Sequence, residues 1–148
     1  MSLNEIRSNI ISKLIDQGFK SSRDRHGFKH LMYKDFVFEN VILKRRWFKN
    51  ILCVYIEGDS NVDASALTDT INSYGKMWCV CRWNEYNWDW YQIYIPIECA
   101  DKTVQVIDLY YTKKEDNYNY RLKQREQENN EYNKKIDDIY ASQIGNKC

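Results

Sequence analysis

Two histidines and four carboxylates are the side chains of this sequence whose types and spacing could do acid–base or metal chemistry. They are His26, His30, Asp35, Glu57, Asp59 and Asp63. His26 and His30 have the i, i+4 spacing that places two zinc ligands on one face of a helix, but Gly27 and the flanking aromatic residues favour a loop and a strand. Two interpretations stay open: solvent-facing histidines in a basic loop, or an acid–base pair that acts on a phosphate-containing substrate.

The carboxylates also match part of a nuclease pattern. Asp35 is the candidate for a second strand and Glu57-Gly58-Asp59 for the end of a third, in an αβββαβ order of elements. This order resembles the core of the restriction-endonuclease-like nucleases, which implies an acidic residue on the second strand and Glu-x-Lys on the third. The lysine is missing here, although Glu57, Asp59 and Asp63 could still bind a divalent ion. Alternatively, Asp59 and Asp63 occupy a loop and the first turn of a helix, where the helix dipole favours them.

No other catalytic signature is visible in the sequence. The five glycines are isolated, so there is no Gly-rich phosphate loop, and neither a nucleophile elbow nor a Ser/His/Asp order occurs. Of the five cysteines, Cys53, Cys79 and Cys81 fall in apolar strand-like sequence, which predicts inert, buried, free thiols and no structural zinc. We therefore expect a protein that is not an enzyme and that needs neither a metal nor a cofactor.

A cluster of cations and aromatic residues is the strongest binding signal. Lys44-Arg45-Arg46-Trp47-Phe48-Lys49 surrounds two aromatic residues with four positive charges near a predicted turn. Such a tip can contact phosphates while an aromatic ring stacks on a base. Alternatively, Trp47 packs in the core and the cations solvate the end of a hairpin. The predicted basic surface comprises Arg23, Arg25, Lys29, Lys44, Arg45, Arg46, Trp47 and Lys49.

The second candidate surface lies in the segment from Tyr74 to Tyr94, which holds eight aromatic residues and four of the five tryptophans. Trp88, Trp90 and Tyr94 alternate along a predicted strand that is apolar on both faces. As a platform, this face would stack nucleobases or anchor a protein interface. Alternatively, it is core, covered by the C-terminal helix. Trp88 and Trp90 complete the predicted binding set.

The elements that must position these residues form an α+β domain with the order α-βββ-α-βββ-α, an antiparallel sheet and a long C-terminal helix. Helices are predicted at Ser2–Gln17, after a Ser60/Asp63 capping box, and over residues 115–145. The predicted strands are Phe28–Tyr33 with Phe36–Phe38, Val41–Trp47, Ile51–Glu57, Lys76–Trp83, Trp88–Ile97 and Thr103–Tyr110. Residues 1–114 should form the core domain, and residues 115–148 a helix that packs on it or protrudes.

Charge and hydropathy narrow the class of protein. The net charge of +1 divides into +6 over residues 1–56 and −6 over residues 57–116, so the chain could present one basic and one acidic surface. Alternatively, the two halves interleave and neutralise each other. No apolar run approaches a membrane span and the N-terminus lacks the pattern of a signal peptide, so we expect a cytoplasmic protein.

The function expected from these patterns is non-catalytic binding of a protein partner. The general composition is typical of phage or mobile-element proteins, among which anti-defence inhibitors of the anti-CRISPR kind occlude a nuclease or its nucleic-acid groove; in a phage protein the compartment would be the host cytoplasm. Three alternatives stay open: a single-stranded nucleic-acid-binding protein, a metal-dependent nuclease-like enzyme, and a toxin-immunity protein. The near-neutral total charge disfavours the first of these.

Overall fold

The computed structural model describes residues 2–23, 26–39, 42–44, 50–58, 62–75, 78–85 and 88–145. They form α1 (Leu3–Gln17), β1 (Lys20–Arg23), β2 (Lys29–Tyr33), β3 (Phe36–Phe38), β4 (Ile42–Lys44), β5 (Asn50–Gly58), α2 (Ala64–Asn72), β6 (Cys79–Glu85), β7 (Trp88–Pro96), a 3-10 helix (Ile97–Lys102) and α3 (Thr103–Gly145). The chain divides into two compact units, residues 1–113 and residues 114–148.

The seven strands form one antiparallel sheet. Its order is β1-β2-β3-β5-β7-β6. β5 pairs with β7 along Ile51–Gly58, while β4 and β3 pair with successive parts of the other side of β5. The predicted α+β class, the antiparallel sheet and the long C-terminal helix are confirmed.

α1 begins and ends where its sequence predicts. The Ser2 hydroxyl accepts a hydrogen bond from the Glu5 amide at 3.2 Å, which satisfies one of the free N–H groups of the first turn. At the other end Gly18 adopts the left-handed conformation with φ 116°, and its N–H bonds to the carbonyls of Leu14 and Ile15. The next residue, Phe19, is buried and packs on the Tyr33 ring, so the cap also directs the chain into the sheet.

The N-cap of α2 lies three residues later than the predicted N-cap, Ser60. Asp63 is the N-cap itself, and its carboxylate accepts from the Ala66 amide at 3.0 Å. Ser60, which we predicted as the cap, lies outside the described residues. The helix ends at Asn72, and Gly75 follows with φ 117°.

The core lies between the helices of the first unit and one face of the sheet. Alternate residues of the central strands supply this face, with Leu52, Val54 and Ile56 on β5 and Ile93 and Ile95 on β7. The helices contribute Ile10, Leu14, Ala66, Leu67, Ile71, Val106, Ile107 and Tyr110 to the same cluster. Burial of these side chains is the main source of stability in the first unit.

The predicted strand Thr103–Tyr110 is wrong, because these residues form the first turns of α3. Their β-branched residues favour a strand. The buried positions are Thr103, Val106, Ile107 and Tyr110, which is the i, i+3, i+4, i+7 pattern of a helix face. Packing of that face against the sheet outweighs the local strand propensity.

The distribution of strands around α2 also differs from the prediction. Five strands precede α2 and two follow it. The additional strand is β1, which has the polar sequence Lys-Ser-Ser-Arg and forms by pairing with β2. The αβββαβ order therefore does not occur among the described elements, so the resemblance to the nuclease core loses the order on which it rested, while the nuclease-like alternative stays a prediction.

Polar contacts join the helices to the strands of the first unit. Gln17, the last residue of α1, donates through Nε2 to the Ala100 carbonyl at 2.8 Å and accepts the Val104 amide at 3.0 Å. This side chain thus caps the start of α3 and binds the 3-10 helix. Both contacts are partly buried, where an unmade hydrogen bond is costly.

A second polar group ties the β2–β3 turn to α3. The Tyr33 hydroxyl and the Lys34 ammonium both donate to Asp108 Oδ1, at 2.6 and 2.8 Å. Partial burial acts to raise the pKa of Asp108, but the hydrogen bonds from Lys34 and Tyr33 outweigh it and hold that pKa below its ordinary value. The hydrogen bond to Asp108 likewise raises the pKa of Tyr33 to about 12.

The second unit contains the remainder of α3, residues 114–145. Every described side chain from Tyr118 to Lys135 is exposed. The predicted packing of residues 115–148 on the core stays a prediction. Among the described residues, none of the helices combines the length and apolar character that crossing a lipid bilayer requires.

Candidate functional site

The two outermost strands of the sheet differ in their chemistry. β1 is four residues long and consists of Lys20, Ser21, Ser22 and Arg23. Arg23 is exposed and donates to the Gly27 carbonyl at 3.0 Å. Short length and cationic side chains are the features by which natural sheets discourage a further strand from adding, so β1 is a protected edge.

β6 forms the other edge of the sheet; it is longer than β1 and carries one cationic residue, Arg82. It is seven residues long, with the sequence Cys-Val-Cys-Arg-Trp-Asn-Glu. In the part of the chain that the structure describes, β6 pairs with β7 and with no strand on its other side. Its middle, Val80–Asn84, therefore offers backbone groups to which an extended peptide can bond.

A pocket of about 320 Å³ lies beside this edge, between β6 and α2. Thr68, Ile71 and Asn72 line it from the helix, Cys79, Val80, Arg82 and Tyr91 from the strands, and Trp78 from the position just before β6. Trp78 is buried and stacks against Tyr74 with the ring centroids 4.9 Å apart. The apolar wall formed by Ile71, Trp78 and Val80 suits an apolar or aromatic side chain.

An ion pair forms the polar side of the pocket. Arg82 donates to Asp89 Oδ2 at 2.9 Å, across the β6–β7 hairpin. This hydrogen bond raises the pKa of Arg82, which stays charged. Since the pair is largely exposed, its contribution to stability is small, and we regard it as a charged rim rather than a stabilising contact.

The face of the sheet opposite the helices carries aromatic residues and thiols. Register places Cys53, Tyr94 and Cys79 in one row and Tyr55, Gln92 and Cys81 in the next. Burial, with smaller contributions from Cys81 and Cys79, raises the pKa of Cys53 to about 12, so this thiol is unreactive. The prediction that Cys81 is buried is wrong, because Cys81 is exposed at the β6 edge.

The aromatic face predicted at Trp88, Trp90 and Tyr94 lies on β7. Tyr94 and Trp90 are half-buried and do not belong to the core cluster. Trp90 pairs in register with Trp83 on one side and Glu57 on the other. Trp88 opposes Glu85 at the hairpin end of the strand, and its side chain lies outside the description. The structure thus brings this face next to the β6 edge.

The predicted basic surface is only partly described. Arg23 and Lys29 are exposed and oppose each other across β1 and β2. Lys44 ends β4, although its side chain is not described. The positions Arg25, Arg45, Arg46, Trp47 and Lys49 lie outside the described residues. Arg23 and Lys29 thus lie at the β1 edge of the sheet, opposite the edge with the pocket, whereas Lys44 lies on β4 beside β5.

Of the residues predicted for acid–base or metal chemistry, Asp35 and Asp63 take part in other contacts. Asp35 accepts a hydrogen bond from the Tyr111 hydroxyl at 2.6 Å, and Asp63 caps α2. His26 is exposed, whereas both ring nitrogens of His30 are buried without a hydrogen-bond partner in the described structure. The Glu57 side chain and Asp59 are not described. Among the described residues, no three His, Cys, Asp or Glu side chains form a group that could hold a metal ion.

Sequence reasoning missed the pocket because it forms only where α2, β6 and β7 come together in the fold. A partial signal exists in β6 itself, since this seven-residue strand contains two cysteines, a valine and a tryptophan and has neither lysine nor proline to protect it. Its position at the edge depends on β5 pairing with β7, which no local pattern specifies.

No family model, curated protein or solved structure matches this chain.

Proposed function

We propose that this protein is a non-catalytic interaction module that binds an extended segment of a partner protein along β6. The segment adds to the sheet as an additional strand and places an apolar or aromatic side chain in the pocket beside α2. The observation that carries this proposal is the unprotected seven-residue edge strand with a pocket directly beside it.

The backbone of β6 is the first argument for an extended ligand. Strand addition satisfies the outward N–H and C=O groups in the middle of β6, and main-chain hydrogen bonds of this kind give affinity without requiring one particular sequence. Burial of aromatic side chains adds to it, since Trp and Tyr dominate the binding energy of many interfaces. Trp90, which is half-buried, lies on β7, the strand that pairs with β6.

The pocket supports selectivity. Side chains of an added strand point alternately to the two faces of the sheet, so those on the helix side reach the pocket walls at Ile71 and Val80. An apolar side chain of the partner gains free energy when it leaves water and enters the pocket. A carboxylate would lose its hydration there, and the nearby Arg82 is already paired with Asp89. We therefore expect a partner segment with an apolar or aromatic anchor.

The sharper form of the proposal is inhibition by occlusion of a nucleic-acid-processing enzyme, in the manner of a phage or mobile-element anti-defence protein. The composition and the uneven distribution of charge along the sequence support it. Once a partner is isolated, its nuclease activity should fall in proportion to the added protein, with an endpoint at equal molar amounts.

The test compares two edge substitutions that place a lysine on an exposed strand residue. Cys81→Lys introduces a charge into the β6 edge on the face away from the pocket, and Ser21→Lys does the same on β1. Tagged wild-type protein and each variant are incubated with lysate of the producing cell, with and without nuclease. We expect one stoichiometric protein partner with the wild type and with Ser21→Lys, and at least about a tenfold loss with Cys81→Lys.

Cys81→Ser is the matched control for the loss of the thiol, and it should capture the partner as the wild type does. Equal capture by Cys81→Lys would show that the partner does not use this edge. Capture that disappears after nuclease digestion would favour the single-stranded nucleic-acid alternative, with stacking on the Trp90 and Tyr94 face as its basis.

A further inference from the structure

The second unit carries an apolar seam with a regular spacing. Along its helix, side chains recur at alternating intervals of four and three residues, which is the spacing of the a and d positions of a heptad. The seam consists of Tyr118, Leu122, Arg125, Asn129, Tyr132, Ile136, Ile139 and Gln143. Its apolar members lie at the two ends, and the polar Arg125 and Asn129 lie near the middle.

This seam is exposed in the single chain. Tyr118 is 58% exposed, Tyr132 64% and Ile139 53%, and Leu122 is also exposed. Outside the seam this helix is polar except at Tyr120, Tyr140, Ala141 and Ile144. A helix with so little buried apolar area gains most of its stability from packing against another element. A second helix with a complementary seam would bury these side chains.

We propose that the occupant is the same segment of a second copy, packed antiparallel to form a homodimeric coiled coil. The antiparallel direction follows from the polar residues of the seam. In a parallel dimer Arg125 would face Arg125 of the second copy, which places two like charges in the seam. In the antiparallel dimer Leu122 faces Ile139 of the second copy, and Arg125 lies beside Ile136.

The flanking charges select one register. When Asn129 faces Tyr132 of the second copy, the two flanking g positions that meet are Glu128 and Lys135. The symmetry of the dimer produces this opposite-charge pair twice. A shift of one heptad in one direction would bring Glu128 against Glu128 of the second copy, and Arg121 against Lys135. A shift in the other direction would bring Lys135 against Lys135 of the second copy. Like charges therefore disfavour both neighbouring registers.

Sedimentation velocity of the full-length protein over a range of concentrations tests the proposal. The wild type should reach twice the 17.9 kDa mass of one chain. Glu128→Lys sets two lysines against each other, and Lys135→Glu sets two glutamates against each other. Each single variant should raise the dissociation constant at least about tenfold, while circular dichroism shows that its helical content at the same concentration stays comparable.

Charge complementation distinguishes a broken interface from a damaged chain. An equimolar mixture of Glu128→Lys and Lys135→Glu restores both opposite-charge pairs and should form a heterodimer. The double variant Glu128→Lys/Lys135→Glu should again form a homodimer.

A wild type that sediments as a single chain at every concentration would overturn the proposal. A dimer that ignores both substitutions, or a mixture that fails to associate, would overturn the antiparallel register. Loss of the dimer on Arg121→Glu but not on Glu128→Lys would indicate the parallel arrangement instead, in which Arg121 meets Glu126.

Discussion

The two edge strands of the sheet, β1 and β6, differ in length and in the chemistry of their side chains. β1 is short, polar and cationic, and the neighbouring β2–β3 turn is held to α3 through Tyr33, Lys34 and Asp108. β6 is almost twice as long, contains tryptophan and two thiols, and lies beside a pocket. An unprotected edge is a hazard for aggregation, and its presence at one end of a sheet whose other end is protected is the reason that we propose a binding site there.

A substitution far from β6 that lowers the stability of the protein tests whether stability and partner binding at β6 are independent. Gln17→Leu removes the hydrogen bonds to Ala100 and Val104, so the partly buried Val104 amide loses its Gln17 acceptor, while the Ala100 carbonyl keeps its hydrogen bonds from Thr103. We expect the free energy of unfolding to fall by about 1–3 kcal/mol, measured by urea denaturation, while capture of the partner at β6 is unchanged.

Gln105→Leu is the matched control for this change. Gln105 is exposed on α3, so the same substitution there should alter stability by no more than about 0.5 kcal/mol. Loss of partner capture in Gln17→Leu at a temperature where the variant is folded would show that the polar junction and the β6 edge are coupled, contrary to our account.

Filling the pocket should reduce binding without unfolding the protein. Thr68 is exposed on α2 and lines the pocket, so Thr68→Trp places a large side chain where the partner's anchor should enter. We expect affinity to fall at least about tenfold, or about 1.4 kcal/mol, by titration with the isolated partner.

Asp69→Trp adds the same side chain one residue further along α2, where it does not line the pocket. It should leave affinity within about twofold of the wild type. Equal effects of the two substitutions would mean that the partner contacts the exposed side of α2 rather than the pocket.

The smallest effect is expected at the turn that secures the β1 side. Tyr33→Phe removes the hydrogen bond to Asp108, and because the site is only partly buried we expect the free energy of unfolding to fall by at most about 1 kcal/mol at neutral pH. The pKa of Tyr33 rises from 10.0 to about 12 in the folded protein. Its stabilisation is therefore complete below pH 10 and is lost as the pH rises towards about 12.

Urea denaturation at a series of pH values checks this sign. The difference in stability between wild type and Tyr33→Phe should shrink between pH 10 and about 12. Tyr111 is present in both proteins, so its own titration cancels in the difference. A difference that stays constant over this range would contradict the hydrogen bond as the cause.

Patterns among residues close together in the sequence predicted both ends of α1 and the strand β3. The capping residue Ser2, the left-handed Gly18 and the strand at Phe36–Phe38 appear where the sequence predicts them. β1 was not predicted because its polar residues carry no strand pattern and β2 supplies the pairing. Thr103–Tyr110 was misassigned because β-branched residues mask a helical burial pattern that only the packed sheet reveals.

The candidate site was harder to predict than the fold. The aromatic richness of the segment that forms β6 and β7 is visible in the sequence, and the prediction that it forms a binding surface stays a prediction. Its position at an edge arises from the pairing of β5 with β7, and the pocket needs α2 to lie beside β6. These are contacts between residues far apart in sequence, to which neither periodicity nor capping is sensitive.

Amide hydrogen exchange on the protein with and without its isolated partner tests the central claim most directly. If the partner adds a strand to the sheet, exchange in the middle of β6, at Val80–Asn84, should slow markedly in the complex, while exchange in β1 stays as in the free protein. Unchanged exchange in β6 with new protection at β1 would contradict the account and move the binding site to the basic side of the sheet.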